Sequence, residues 1–189
     1  ASQDVAISSA TFSPAVLSSA EGKAWSLDGE ASYIVGPCQG CGDWWGGLDA
    51  NGVIERACQM DDAWIFFDDG TMQYTTEGFV WAESYMLGNN ECLDETLLTP
   101  PFDVFGAGTH TFTATESEIT VNGLGAFIGF NKAYNQGELD NAGTGTPVET
   151  ITYEVFDYTN VDGVEKVTIT IDYGANPGEA YWTFRLVAQ

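Results

Sequence analysis

The sequence predicts an all-β domain: a single antiparallel β-sandwich or flattened barrel of about eight to ten strands, jelly-roll-like or a lipocalin-like meander. Three observations carry this. In residues 166–173, Val167, Ile169, Ile171 and Tyr173 fall on one face and Thr168, Thr170 and Asp172 on the other. That period of two marks a sheet with one buried side. Turn sequences such as Asp68-Asp69-Gly70 and Asn160-Val161-Asp162-Gly163 recur between apolar runs and join strands as hairpins. Hydrophobic residues make up 44% of the 189, enough to offset the entropy of forming one core, while the length is short for two.

Taken in chain order, Ser13-Pro14 before Ala15-Val16-Leu17 marks a helical turn with Ser as cap and Pro at the first position. It lies in an N-terminal arm, 1–22, ahead of the β-domain at 23–189. A short strand surrounds Trp25 at 24–27, and 36–52 reads as Gly-rich and irregular. Residues 63–67 and 71–75 pair about Asp68-Asp69-Gly70, with 79–85 continuing the second strand and 87–104 forming a long loop. Strands are expected at 109–115, 118–122 and 126–130, the last after a bend at Gly123 and Gly125. A polar loop at 131–147 precedes strands at 150–158, 166–173 and 181–187.

Five basic residues stand against 28 acidic ones, a formal charge of −23 at pH 7. Such a field repels phosphate, so nucleic acids and anionic membranes are excluded as partners and any glycan is expected to be neutral. It also keeps a protein soluble in high salt, as in a marine setting. No apolar run reaches the length of a membrane span, so membrane insertion is not expected. The opening Ala1-Ser2-Gln3-Asp4 reads as that of a mature or excised domain, expected to be monomeric and part of a larger secreted or surface protein. An extracellular or outer-membrane surface location fits the four cysteines, an even number read as disulfides. Four thiolates also suit zinc, but a second C-x-x-C to match Cys38-Gln39-Gly40-Cys41 is missing. Cys58–Cys92 would tie the hairpin to the long loop and Cys38–Cys41 would pin the Trp loop, with other pairings open.

The six tryptophans separate by position. Trp25, Trp64 and Trp182 sit inside strands and are expected in the core. Trp44 and Trp45 lie in Gly42-Asp43-Trp44-Trp45-Gly46-Gly47, where small neighbours leave rings uncovered. Indole faces stack on the C–H patches of pyranose rings, and Asp43 and Asn51 are placed to bond hydroxyls. The alternative is that one or both rings cap the open end of the core. Trp81 with Tyr85 forms a second candidate pair. Lys132 reads first as an ion-pair partner near Glu138 and, with Asn135, as a donor to a glycan. Asp49-Ala50-Asn51-Gly52 and the acidic pairs Asp61-Asp62 and Asp68-Asp69 admit a structural calcium, but the spaced ligands of a calcium loop are missing and no metal site is specified. No cofactor is required. Hydrolysis would need two carboxylates across a cleft. Glu91-Cys92-Leu93-Asp94-Glu95 departs from the E-x-D-x-x-E of β-glucanase jelly rolls, and His110 has no triad, so no catalytic residue is expected.

The run Lys23-Ala24-Trp25, Cys58-x-x-Asp61-Asp62-x-Trp64-x-Phe66-x-x-Asp69-Gly70-Thr71 and Cys92 resembles bacterial lipocalin-like domains. Val35-Gly36-Pro37, Trp44-Trp45, Gly125-Ala126-Phe127-Ile128-Gly129-Phe130-x-Lys132-Ala133 and Gly137-Glu138-Leu139 resemble domains at the C-termini of marine-bacterial surface proteins. Those stand beside PKD-type modules or glycoside hydrolases in polysaccharide-utilisation systems. The likeness runs from Lys23 to Val187, with Cys38 and Cys41 departing from the pattern. It implies capture of a polysaccharide, β-1,3-glucan (laminarin) being one candidate, and assigns no ligand residues. The expected function is therefore a non-catalytic carbohydrate-binding module. The alternatives are a glycan-degrading hydrolase or lyase on a jelly-roll scaffold, and a lipocalin-like carrier of a small apolar ligand.

Overall fold

Period-two alternation sets one face of each strand inward, and the order of pairing decides whether the sheet stays open. The computed structural model describes residues 11–87, 89–139 and 145–189. Residues 1–10 of the predicted arm and 140–144 of the predicted polar loop lie outside them. The strands are β1 (Lys23–Leu27), β2 (Tyr33–Gly36), β3 (Ala63–Phe66), β4 (Thr71–Thr75), β5 (Phe79–Ala82), β6 (Glu91–Asp94), β7 (Gly108–Ala114), β8 (Glu118–Asn122), β9 (Ala133–Tyr134), β10 (Gly137–Glu138), β11 (Thr150–Val161), β12 (Val164–Asp172) and β13 (Tyr181–Ala188). The order β1-β3-β4-β7-β8-β11-β12-β13 closes through β1–β13 into an eight-strand antiparallel meander barrel of lipocalin-like topology.

Strand β2 is an extra ninth. It shares an edge of β13 with β1: Leu27 faces Leu186 and Tyr33 faces Phe184. The excursion at 28–32 is pinned at Arg185, whose carbonyl accepts from Asp28 N–H (3.0 Å) and whose guanidinium donates to the Ala31 carbonyl (2.9 Å). A bulge between Val155 and Asp157 bends the long β11, which serves both β8 and β12.

The lumen is filled by side chains. Trp25, Trp64, Phe66, Tyr153 and Phe184 are all fully buried. At one end α1 (Pro14–Leu17) closes the barrel: the Trp25 indole donates to the Leu17 carbonyl (2.9 Å), and the Phe12 ring lies edge-on to Tyr158. At the other end residues 123–131 are a plug, not the strand expected at 126–130. Ala126, Phe127, Ile128 and Phe130 are buried in succession, which an alternating half-exposed strand does not allow. Phe127 meets Trp64, Tyr74 and Phe105, and Ile128 N–H donates to the Tyr153 hydroxyl (2.9 Å). Gly129 lies so close to Phe184 that a Cβ would stand 2.5 Å from that ring. A void of about 10 Å³ remains beside Leu139 and Ile151.

Two further expectations are corrected. Residues 79–85 do not prolong β4, because Glu77 and Gly78 adopt positive φ (49° and 90°) and break the strand. Strand β5 instead pairs with β6, so the predicted long loop holds a strand, and α4 (Ser84–Leu87) follows β5. Residues 50–60 fold as α2 (Ala50–Glu55) and α3 (Ala57–Met60), with the Asp49 carboxylate capping Gly52 N–H (2.8 Å). The polar loop carries the small β9–β10 hairpin.

The disulfides are Cys58–Cys92, which staples α3 to β6, and Cys38–Cys41. Their sequence separations are 34 and 3, so they constrain the unfolded chain unequally. Replacing Cys58 and Cys92 with Ser is expected to cost roughly 3–4 kcal/mol, and replacing Cys38 and Cys41 distinctly less. Urea denaturation of both pairs checks this; equal losses would contradict the assignment of roles.

Candidate functional site

The site is built around the free edge of β2. Beyond Gly36 the chain turns through residues 37–41 and lies over the outer face of the sheet. Gly40, at φ 73°, donates its N–H to the Thr183 hydroxyl (3.0 Å), and the Gln39 amide donates to the Glu154 carboxylate. This loop accounts for the complete burial of Thr183, and with it Thr170, on what alternation makes the outer face. A Cβ on Gly40 would stand 2.7 Å from the Phe156 ring, so that ring rests directly on the loop backbone.

The next turn splits the predicted pair of indoles. Val35 N–H donates to the Trp45 carbonyl (3.0 Å), and the Val35 carbonyl accepts from Trp44 and Trp45 N–H (3.1 Å each), a bridge that extends the sheet by one residue. Trp45 turns inward, its ring centroid 5.5 Å from Tyr33 and 6.1 Å from Trp182. Side chains alternate across a bridged segment, so Trp44 takes the outer side; it is 55% exposed. Trp45 caps the core and Trp44 faces solvent. Gly47 adopts φ 93° and approaches the Tyr33 carbonyl closely enough that a Cβ would stand 2.6 Å from it. Asp43 beside Trp44 is exposed, as is Asn51 in α2.

The second candidate pair is largely covered. Trp81 is 4% exposed, and the Arg56 guanidinium covers it at 4.4 Å from the ring centroid. Tyr85 is part-buried: its hydroxyl donates to Asn131 (2.8 Å), its ring meets Phe102, and burial holds the phenol well above its usual pKa. Lys132 pairs with Glu83 (3.4 Å). Asn135 uses both ends of its amide on the Thr152 backbone (2.8 Å each), which fixes the loop to β11.

Sequence reasoning missed Arg56, one of two arginines. Set between α2 and α3, it lies 5.7 Å from Tyr33 and 5.8 Å from Phe130 as well as over Trp81. It donates to the Tyr33 hydroxyl (2.8 Å) and to Glu83 (3.5 Å), so Glu83 sits between two cations. Tyr33 donates on to Gln59 (3.0 Å), and Gln59 to the Gly129 carbonyl (3.4 Å). Burial raises the Tyr33 phenol and Arg56 opposes the rise. Stacked cations and charge-assisted bonds of this kind latch the helices, the β5–β6 hairpin and the plug to one another. No sequence spacing signals it, since the groups come from four separate stretches.

Asp62, one residue ahead of β3, is 2% exposed. Its Oδ2 accepts from the Tyr74 hydroxyl (2.6 Å), while Oδ1 and the nearby buried Trp64 indole N–H have no hydrogen-bond partner among the described residues. Burial pushes this carboxyl up to about 8; the Tyr74 bond opposes the rise, and Asp61 and Glu95 add to it. Three of the other acids considered for calcium have local tasks: Asp49 caps α2, Asp68 accepts from Ser18, and Asp69 accepts from Thr71 N–H. The sulfurs of Cys38 and Cys41 come within 4.8 Å of an Asp43 oxygen, but bonded to each other they are not thiolate ligands.

The arrangement therefore offers a filled barrel, a latched mouth and one exposed indole on the outer edge, on a backbone tied to β2. Set beside known proteins, the chain matches no family model, no curated protein and no solved structure.

Proposed function

We propose that this is a non-catalytic carbohydrate-binding module that captures a neutral polysaccharide through the outer face around Trp44, in a secreted or surface protein of a marine bacterium. The observation that carries the reading is the exposed indole of Trp44, whose backbone N–H is bonded to the Val35 carbonyl and which is flanked by Asp43. A rigid aromatic presents stacking area with little ordering cost, and a neighbouring carboxylate accepts from sugar hydroxyls. The charge of −23 favours an uncharged glycan, β-1,3-glucan being the first to try. Two disulfides suit an oxidising compartment. The carrier alternative needs room inside the barrel, where the rings of Trp25, Trp64, Tyr153 and Phe184 stand instead. The reading calls for no cofactor.

Affinity electrophoresis through gels of neutral and anionic polysaccharides tests it. Trp44→Ala is expected to weaken retention by roughly tenfold or more, about 1.4 kcal/mol, while folding stability stays within about 0.5 kcal/mol of the parent. A Trp44→Ala protein retained as strongly as the parent would place the ligand elsewhere.

A further inference from the structure

We infer that the contact surface runs from Trp44 across the Cys38–Cys41 loop to Phe156, so that its ligand is a polymer segment of several sugar rings lying along the barrel wall. This rests on the glycan reading above. Among the described residues the exposed aromatics are Trp44 (55%), Phe156 (51%) and Phe79 (49%), and the first two flank this one loop. Phe156 stands at the bulge of β11, a distortion that re-aims a side chain, and here it turns an aromatic ring outward. The ring rests on the Gly40 backbone, which the Thr183 hydroxyl and the disulfide hold in place. It is therefore seated on a braced loop.

Trp44 lies on the segment bridged to the free edge of β2, and β2, β13 and β12 stand between it and β11, four strand spacings or roughly 19 Å along the sheet. A single sugar ring does not bridge that distance, whereas a short run of linked rings does. Between the two aromatics lie the Gln39 amide and the Glu154 carboxylate, already bonded to each other and suited to exchanging with sugar hydroxyls. Asp43, Glu154 and Asp157 are all exposed and give the strip a negative rim, which selects against anionic polymers.

Calorimetric titration with β-1,3-gluco-oligosaccharides of two and of six rings tests the inference on the intact domain. Phe156→Ala is expected to weaken the six-ring ligand about tenfold and leave the two-ring ligand unchanged, whereas Trp44→Ala weakens both. Phe156→Trp should restore six-ring binding, and thermal melting should show both Phe156 variants folded. If Trp44→Ala weakens binding and Phe156→Ala does not, the extension is wrong and the Trp44 reading stands. If neither substitution matters, or the parent does not bind the six-ring ligand, both fall.

Discussion

Raising the pH from about 4 to about 9 should lower the folding stability by on the order of 5 kcal/mol, mainly through Asp62. The carboxyl is raised from 3.8 to about 8 by burial. Below the lower value it is protonated in folded and unfolded chains alike, and its contribution is complete. Between the two values the unfolded chain sheds this proton while the folded chain keeps it, so stability falls by about 1.4 kcal/mol per pH unit. Above about 8 both states are ionised and the decline levels off. An Asp62→Asn variant keeps an acceptor for Tyr74 without the charge. It should show no such decline between about pH 6 and 9, and exceed the parent in stability at the upper end. Urea denaturation across that range decides the matter. Equal slopes in both proteins would mean that Asp62 is ionised in the folded state.

The second large effect is expected at Trp64. Its ring is completely buried, stacked on Tyr74 at 5.6 Å and edge-on to Phe127 of the plug. Trp64→Ala removes one of the ring contacts between barrel wall and plug and should cost about 3–5 kcal/mol. Trp64→Phe should cost less, because it keeps a ring while removing an indole N–H that has no partner among the described residues. A loss under about 1 kcal/mol for the alanine variant would show that the plug does not depend on this contact.

Much of the fold was legible because strand alternation is local. Val167, Ile169 and Ile171 announce their shared face without reference to the rest of the chain. Closure is different. It depends on Trp25 pairing with Ala188, and no local pattern distinguishes that from an open sandwich. Residues 126–130 misled because a short apolar run suits a buried strand and a plug equally; Gly125 and Gly129, both at φ 83°, decide for the plug. Helix α2 was missed because Asn51 and Gly52 are poor helix formers, and α3 because its single turn, Ala57–Met60, is too short to show a period. The Asp49 cap and the Cys58–Cys92 staple hold them. In the site, the Gly-flanked Trp loop was visible as a loop, but which indole faces out depends on the Val35–Trp45 bridge. That Lys132 serves an ion pair was readable; its partner Glu83, 49 residues away, was not.

Trp44, on the outside of a filled barrel, is the residue proposed to touch a glycan. Tryptophan fluorescence during titration with the six-ring β-1,3-gluco-oligosaccharide tests it most directly, using the parent and a Trp44→Phe variant. Phe keeps a stacking face, so the variant should still be retained on the affinity gel. The parent should show a saturable spectral change, and the variant should bind with almost none, because the other indoles stay where they are. An unchanged spectral response in Trp44→Phe would contradict the account, since the responding indole would then be a different one.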